Sequence, residues 1–215
     1  MKKKILALTL VFALALALGI GGTVAWLTAQ TSPVVNTFTV GDINITLAES
    51  GATNNAKNYT FVPGDKLAKD PMVTVLEGSE ACYLFVKIDA ENNSLGAVDP
   101  ILTWSPANGW TKLVTADTEE DTEIYYRQVN AVPVDADDTT KGQEFYVLAG
   151  EGTGNYKNGY VTVSTELTKA QVNDLNNAKP KLTFTAYAIQ SANLSDTNKD
   201  GKVDAVDAWS LIKAN

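Results

Sequence analysis

Asn36-Thr37-Phe38-Thr39-Val40-Gly41-Asp42-Ile43-Asn44-Ile45-Thr46-Leu47 sets Phe38, Val40, Ile43, Ile45 and Leu47 among polar neighbours, with a break at Gly41-Asp42 that shifts the phase. Successive side chains on a strand point to opposite faces, so this period of two predicts a half-buried β-strand. Similar runs follow at residues 73–75, 82–88, 111–114, 124–129, 144–148, 161–163 and 182–189. Turn formers stand between them: Pro63-Gly64-Asp65, Asn92-Asn93, Asn108-Gly109, Asn158-Gly159 and a glycine-rich stretch over residues 150–154. Strands at that density with turn-rich spacers predict a mainly β chain folded as a sandwich. A helix is expected over residues 169–177, capped by Thr168 and ended before Pro180. A second is expected from about Ala205 to the C-terminus, with Val206, Trp209, Leu211 and Ile212 on its apolar side.

The chain has 215 residues, 45% of them hydrophobic, enough for one good domain and too apolar for global disorder. Its net charge is −8; without residues 1–25, which carry three lysines and no acid, 14 positives face 25 acids, or −11. That balance excludes nucleic-acid or anionic-membrane binding through bulk charge. There is no histidine, which excludes Ser-His-Asp, Cys-His and HExxH chemistry. No motif singles out a carboxylate pair for glycoside hydrolysis, so no enzymatic activity is expected. Cys82, the one cysteine, sits in the apolar run Ala81-Cys82-Tyr83-Leu84-Phe85-Val86 and reads as a buried, inert thiol.

Lys2-Lys3-Lys4, the apolar run over residues 5–20, the breakers Gly19, Gly21 and Gly22, and Thr23-Val24-Ala25 follow the order of a secretory signal peptide cut after Ala25. The expected organisation is a signal at 1–25, an N-terminal segment at 26–35, a β domain at 36–191 and a loop with a helix at 192–215. Aromatics such as Trp104, Trp110, Tyr125, Tyr126 and Tyr160 fit either core packing or the face of an adhesin or carbohydrate-binding module. The acids between Asp117 and Glu123 read as a solvated loop.

Asp196-Thr197-Asn198-Lys199-Asp200-Gly201-Lys202-Val203-Asp204-Ala205-Val206-Asp207 has a different signature. Calcium takes six to eight oxygens in a flexible cage. Asp196, Asn198 and Asp200 supply side-chain oxygens at loop positions 1, 3 and 5. Gly201 allows the sharp turn at position 6, Lys202 offers its carbonyl at position 7, and Asp204 acts at position 9, directly or through water. Asp207 closes the set at position 12, from the first turn of the C-terminal helix. Val203 is expected to point inward, and Lys199 and Lys202 to point to solvent. Four crowded carboxylates repel one another, so the expected cofactor, calcium, would order the segment and clamp the helix onto the β domain. Asp at position 12 in place of the EF-hand Glu resembles the dockerin-type loop. Dockerins carry two such loops, whereas one stands here, after a strand.

The segment Gly21 to Trp26 followed by Asn36-Thr37-Phe38-Thr39-Val40-Gly41-Asp42-Ile43 resembles the start of TasA/camelysin-family proteins. Pro63-Gly64-Asp65-Lys66-Leu67-Ala68-Lys69-Asp70 is similar to the turn that opens the family's next strand. The run from Leu182 to Gln190, with Ala208-Trp209 after it, is similar to the closing strand and helix of related Gram-positive surface proteins. The resemblance implies a jelly-roll-like sandwich, export through a SipW-type signal peptidase, and self-association into extracellular biofilm fibres. Other matrix or cell-wall components are further implied partners, with membrane contact only during export. In such fibres the N-terminal segment of one subunit completes the sheet of the next. The donor candidates here are Trp26, Leu27, Val34 and Val35; a flexible tail, or a strand folded into its own sheet, is the other reading of that segment.

Overall fold

Cys82-Tyr83-Leu84-Phe85-Val86 is apolar on both of its faces, and the fold is built around it. The computed structural model describes residues 42–53, 57–60, 62–115, 121–134, 142–175 and 179–214, all within one unit, Gly41–Asn215. The export signal, the donor candidates Trp26, Leu27, Val34 and Val35, and the first strand before Asp42 lie outside the described residues. Within them the chain is mainly β. The strands are β1 (Ile45–Ala48), β2 (Lys66–Ala68), β3 (Met72–Val75), β4 (Cys82–Glu91), β5 (Leu102–Thr103), β6 (Thr111–Leu113), β7 (Thr122–Val129), β8 (Gln143–Tyr146), β9 (Tyr160–Val163) and β10 (Lys181–Gln190). Two α-helices accompany them, α1 (Lys169–Asp174) and α2 (Ala205–Lys213).

The strands form three antiparallel sheets, β1-β3-β8, β10-β4-β7-β6 and β2-β9-β5. β4 lies inside the four-stranded sheet. It pairs with β10 from Cys82 opposite Gln190 to Glu91 opposite Lys181, and with β7 from Cys82 opposite Val129 to Asp89 opposite Thr122. One face of this sheet sends Cys82, Leu84, Val86 and Ile88, with Tyr125 and Val129, into the main core. Val73 and Val75 of β3 meet them there, with Ile45 and Leu47 of β1 and Phe145 of β8 at the margin. The alternation of β1 is therefore real, with every second side chain turned inward. Tyr83 and Phe85 on the opposite face pack with Leu113, Ile124, Ala205, Ala208 and Trp209. α2 thus covers the outer side of the sheet over Tyr83 and Phe85, which is why β4 is apolar on both faces there; further along, the same face carries the Lys87–Asp89 ion pair and Glu91. A third cluster, with Ile101, Leu102, Val163, Leu167 and Leu175, joins β5 and β9 to the neighbourhood of α1.

α1 starts where a capping box places it. Thr168 Oγ1 accepts from the Gln171 N–H at 3.3 Å, and Gln171 Oε1 accepts from the Thr168 N–H at 3.0 Å. The helix ends at Asp174, short of the expected 177; residues 176–178 lie outside the described residues. β7 begins at Thr122, so Glu123 belongs to a strand and pairs with Lys112 and the Tyr125 hydroxyl instead of lying in a solvated loop. Residues 116–120 of that acidic stretch are outside the described residues.

Cys82 is fully buried, and desolvation pushes its thiol up from 9.0 to about 11. Unfolding frees the thiolate between those values, so the unfolded state binds fewer protons there and this group's contribution to stability falls as pH rises from about 9. The native protein is expected to stay unlabelled by a thiol reagent near pH 8 and to take up one equivalent in denaturant. Fast native labelling would contradict the burial.

Candidate metal centre

The 192–215 region begins with a chain that leaves β10 and passes three times through the left-handed region before entering α2. Asn193 has φ 58°, Lys199 φ 60° and Gly201 φ 85°. The glycine at the sixth loop position meets the demand that the sequence predicted. Lys199 and Lys202 are exposed, as expected. Val203 is not turned inward: it is 47% exposed, and this corrects the expectation of a packing residue. The apolar anchoring falls on α2, where Ala205, Ala208 and Trp209 are buried.

Hydrogen bonds within the loop follow from its carboxylates and amides. Asp196 Oδ2 accepts from the Gly201 N–H at 2.9 Å, Asn198 Oδ1 from the Asp200 N–H at 3.0 Å, and Asp200 Oδ1 from the Lys202 N–H at 2.9 Å. Short polar side chains that bond their own backbone a few residues on are what hold an irregular loop in place. Asp196 Oδ1 is different: it is screened from solvent and has no hydrogen-bond partner. A buried, unpaired carboxylate oxygen is costly unless a cation or donor meets it.

Asp204 and Asp207 form the capping box of α2. Asp204 Oδ1 accepts from the Val206 N–H at 2.8 Å, and Asp207 Oδ2 from the Asp204 N–H at 3.1 Å. Asp207 is wholly buried, and its Oδ1 accepts three further bonds: from the Thr197 N–H at 2.6 Å, the Thr197 hydroxyl at 2.7 Å and the Asn198 N–H at 3.2 Å. The Thr197 hydroxyl first, then these backbone N–H groups, hold its carboxyl down at about 2 against the opposing pull of desolvation. Asp207 therefore stitches the start of the loop to the start of the helix. Thr197 is the partner that the motif did not reveal; its one signal is a hydroxyl beside the first loop aspartate.

The structure thus gathers Asp196, Asn198, Asp200 and Gly201 into one turn and draws Asp207 onto Thr197 and Asn198. Asp204 stands at the helix entrance. No three acidic or thiol side chains among the described residues converge as a metal cluster. The oxygen set of the loop is mixed, with carboxylate, amide and carbonyl groups, which is the donor chemistry of a hard cation. Asp207→Ala is expected to destabilise the chelator-treated protein more than Asp200→Ala does, because it strands four donors at once. Urea unfolding in chelator compares the two directly.

The other sequence candidates fall elsewhere. Trp110 and Tyr125 are buried, and Trp104, Tyr126 and Tyr160 are half-buried, with Trp110 stacked against the Arg127 guanidinium. They form no shared exposed platform of the kind a carbohydrate-binding face presents. Comparison with protein-family models, with curated proteins and with solved structures returned no match to this chain.

Proposed function

We propose that the chain is an exported, calcium-binding structural protein of the cell surface or biofilm matrix, of the TasA/camelysin type. In this reading a jelly-roll-like sandwich assembles into fibres by N-terminal strand addition. The observation that carries the calcium part is Asp196 Oδ1, a carboxylate oxygen buried without a partner in a loop otherwise tied by its own hydrogen bonds. Asn198, Asp200 and the Lys202 carbonyl stand with it as ligands, and Asp204 acts directly or through water. Asp207 Oδ2 accepts one N–H and keeps a lone pair for the ion. Bound calcium supplies positive charge that cancels carboxylate repulsion; the chain's own residues tie that charge to the entrance of α2. This is a structural ion, held by oxygens and suited to ordering a chain.

Support for assembly comes from the sheets. Among the described residues β1 and β8 stand at the margins of one sheet, and β2 and β5 at those of another. Open strand margins are templates for an added strand. Electron microscopy of the exported chain, with and without calcium, tests the reading. Fibres are expected from the intact chain, and none from a variant lacking residues 26–35 that keeps its near-ultraviolet circular dichroism. Equal polymerisation of the two would reject strand addition; a chain that stays monodisperse and retains glycans would reject the fibre reading.

A further inference from the structure

A cavity of about 460 Å³ opens between β2, β9, the start of β10 and α1, within the range of about 300–1,000 Å³ typical of small-ligand sites. Its floor is aliphatic: Leu67, Leu102, Val161 and Leu182 come from strands, and Val172 and Leu175 from α1 and its end. Its charged groups have one sign. Among the described residues Lys57, Lys69, Lys179 and Lys181 line it and no aspartate or glutamate does, in a chain of net charge −8. Two of these ammonium groups are neutralised from outside the cavity, Lys69 by Glu49 at 2.7 Å and Lys181 by Glu91 at 2.6 Å. Among the described residues Lys57 reaches only the Ser50 carbonyl, at 3.0 Å, and the Tyr59 ring, and the Lys179 ammonium has no partner. The cavity therefore presents an apolar floor and two uncompensated positive charges.

We propose that this cavity binds an aliphatic carboxylate, with the hydrocarbon on the floor and the carboxylate between Lys57 and Lys179. A sugar would require aromatic platforms, and among the described residues Tyr59 is the one aromatic side chain in the lining. A polyanion would gain nothing from six aliphatic side chains. The Trp26–Val35 segment of a second copy carries no charged residue and leaves both ammonium groups unanswered.

Isothermal titration of the full chain with monomeric dodecanoate tests this. Saturable binding of one equivalent is expected, with none for dodecyltrimethylammonium, which has the same tail and the opposite head. Lys179 is exposed and Lys57 half-buried, with its ammonium on an exposed loop carbonyl, so K57Q/K179Q should keep its unfolding temperature while its affinity for dodecanoate falls roughly tenfold. Val172→Trp, which fills the cavity from α1, should remove binding with the near-ultraviolet circular dichroism retained. Equal binding of the cationic detergent, or unchanged affinity in K57Q/K179Q, would overturn the assignment. So would binding to phosphatidylglycerol vesicles without binding of monomeric dodecanoate. Tight binding of a synthetic 26–35 peptide in place of dodecanoate would give the cavity to the fibre contact instead.

Discussion

Addition of about 1 mM calcium to chelator-treated protein is expected to raise its Tm by roughly 10 °C. The estimate rests on mass action. Loops of this type bind calcium with Kd on the order of 1 μM, so such a concentration stands about a thousandfold above Kd and contributes about 4 kcal/mol. In a chain of this size each 1 kcal/mol moves Tm by about 2–4 °C. Asp196→Asn separates the ion from the loop's own bonding. An asparagine carbonyl can still accept from the Gly201 N–H, now received by Asp196 Oδ2 at 2.9 Å, but its amide replaces the oxygen that has no partner. The variant should match the parent in chelator and gain almost nothing from calcium. Asp200→Ala is the less clean probe, because Asp200 Oδ1 also holds the Lys202 N–H at 2.9 Å in the absence of any ion. Differential scanning calorimetry with and without chelator reads both quantities. Equal calcium gains in parent and Asp196→Asn would end the case for this site.

The legible parts of the molecule are those where one short segment carries its own reason. Ile45 and Leu47 alternate because one face of β1 is buried, and the continuous apolar run of β4 marks a strand covered on both sides. Thr168 and Asp204 announce helix starts because each bonds N–H groups within three residues. β2 and β5, with three and two residues, are too short to show a period. The exposure of Val203 was hidden for another reason: position in a loop motif does not say which side of the chain the rest of the protein occupies. The same holds for the Thr197–Asp207 bonds, which span ten residues and depend on the path of the loop. The lysine-rimmed cavity was beyond sequence reasoning altogether, because its lining comes from segments as distant as Lys57 and Leu182.

Trp209→Ala should be the most damaging single change in the C-terminal segment, at about 3–5 kcal/mol, the usual loss when a buried aromatic is truncated. Trp209 is 4% exposed, and its ring centroid lies 5.3 Å from that of Phe85 on β4 and 5.4 Å from that of Tyr187 on β10. The contact with Tyr187 is edge-to-face, a geometry that adds to the area buried. No polar group replaces the lost ring, so the outer face of the four-stranded sheet is left facing a cavity or water. The consequence reaches the loop. Asp204 caps α2 and Asp207 lies in its first turn, so the positions of both follow that of the helix. Coupling between two events is reciprocal. If calcium secures α2, then α2 secures calcium, and Trp209→Ala must weaken calcium binding although no atom of Trp209 is a ligand. Trp209→Phe, which keeps an aromatic ring against Phe85 and Tyr187, should recover most of both losses. Urea unfolding and calcium titration on the three proteins measure the two effects together. A Trp209→Ala protein that loses stability yet binds calcium with unchanged affinity would show that the loop and the helix act independently.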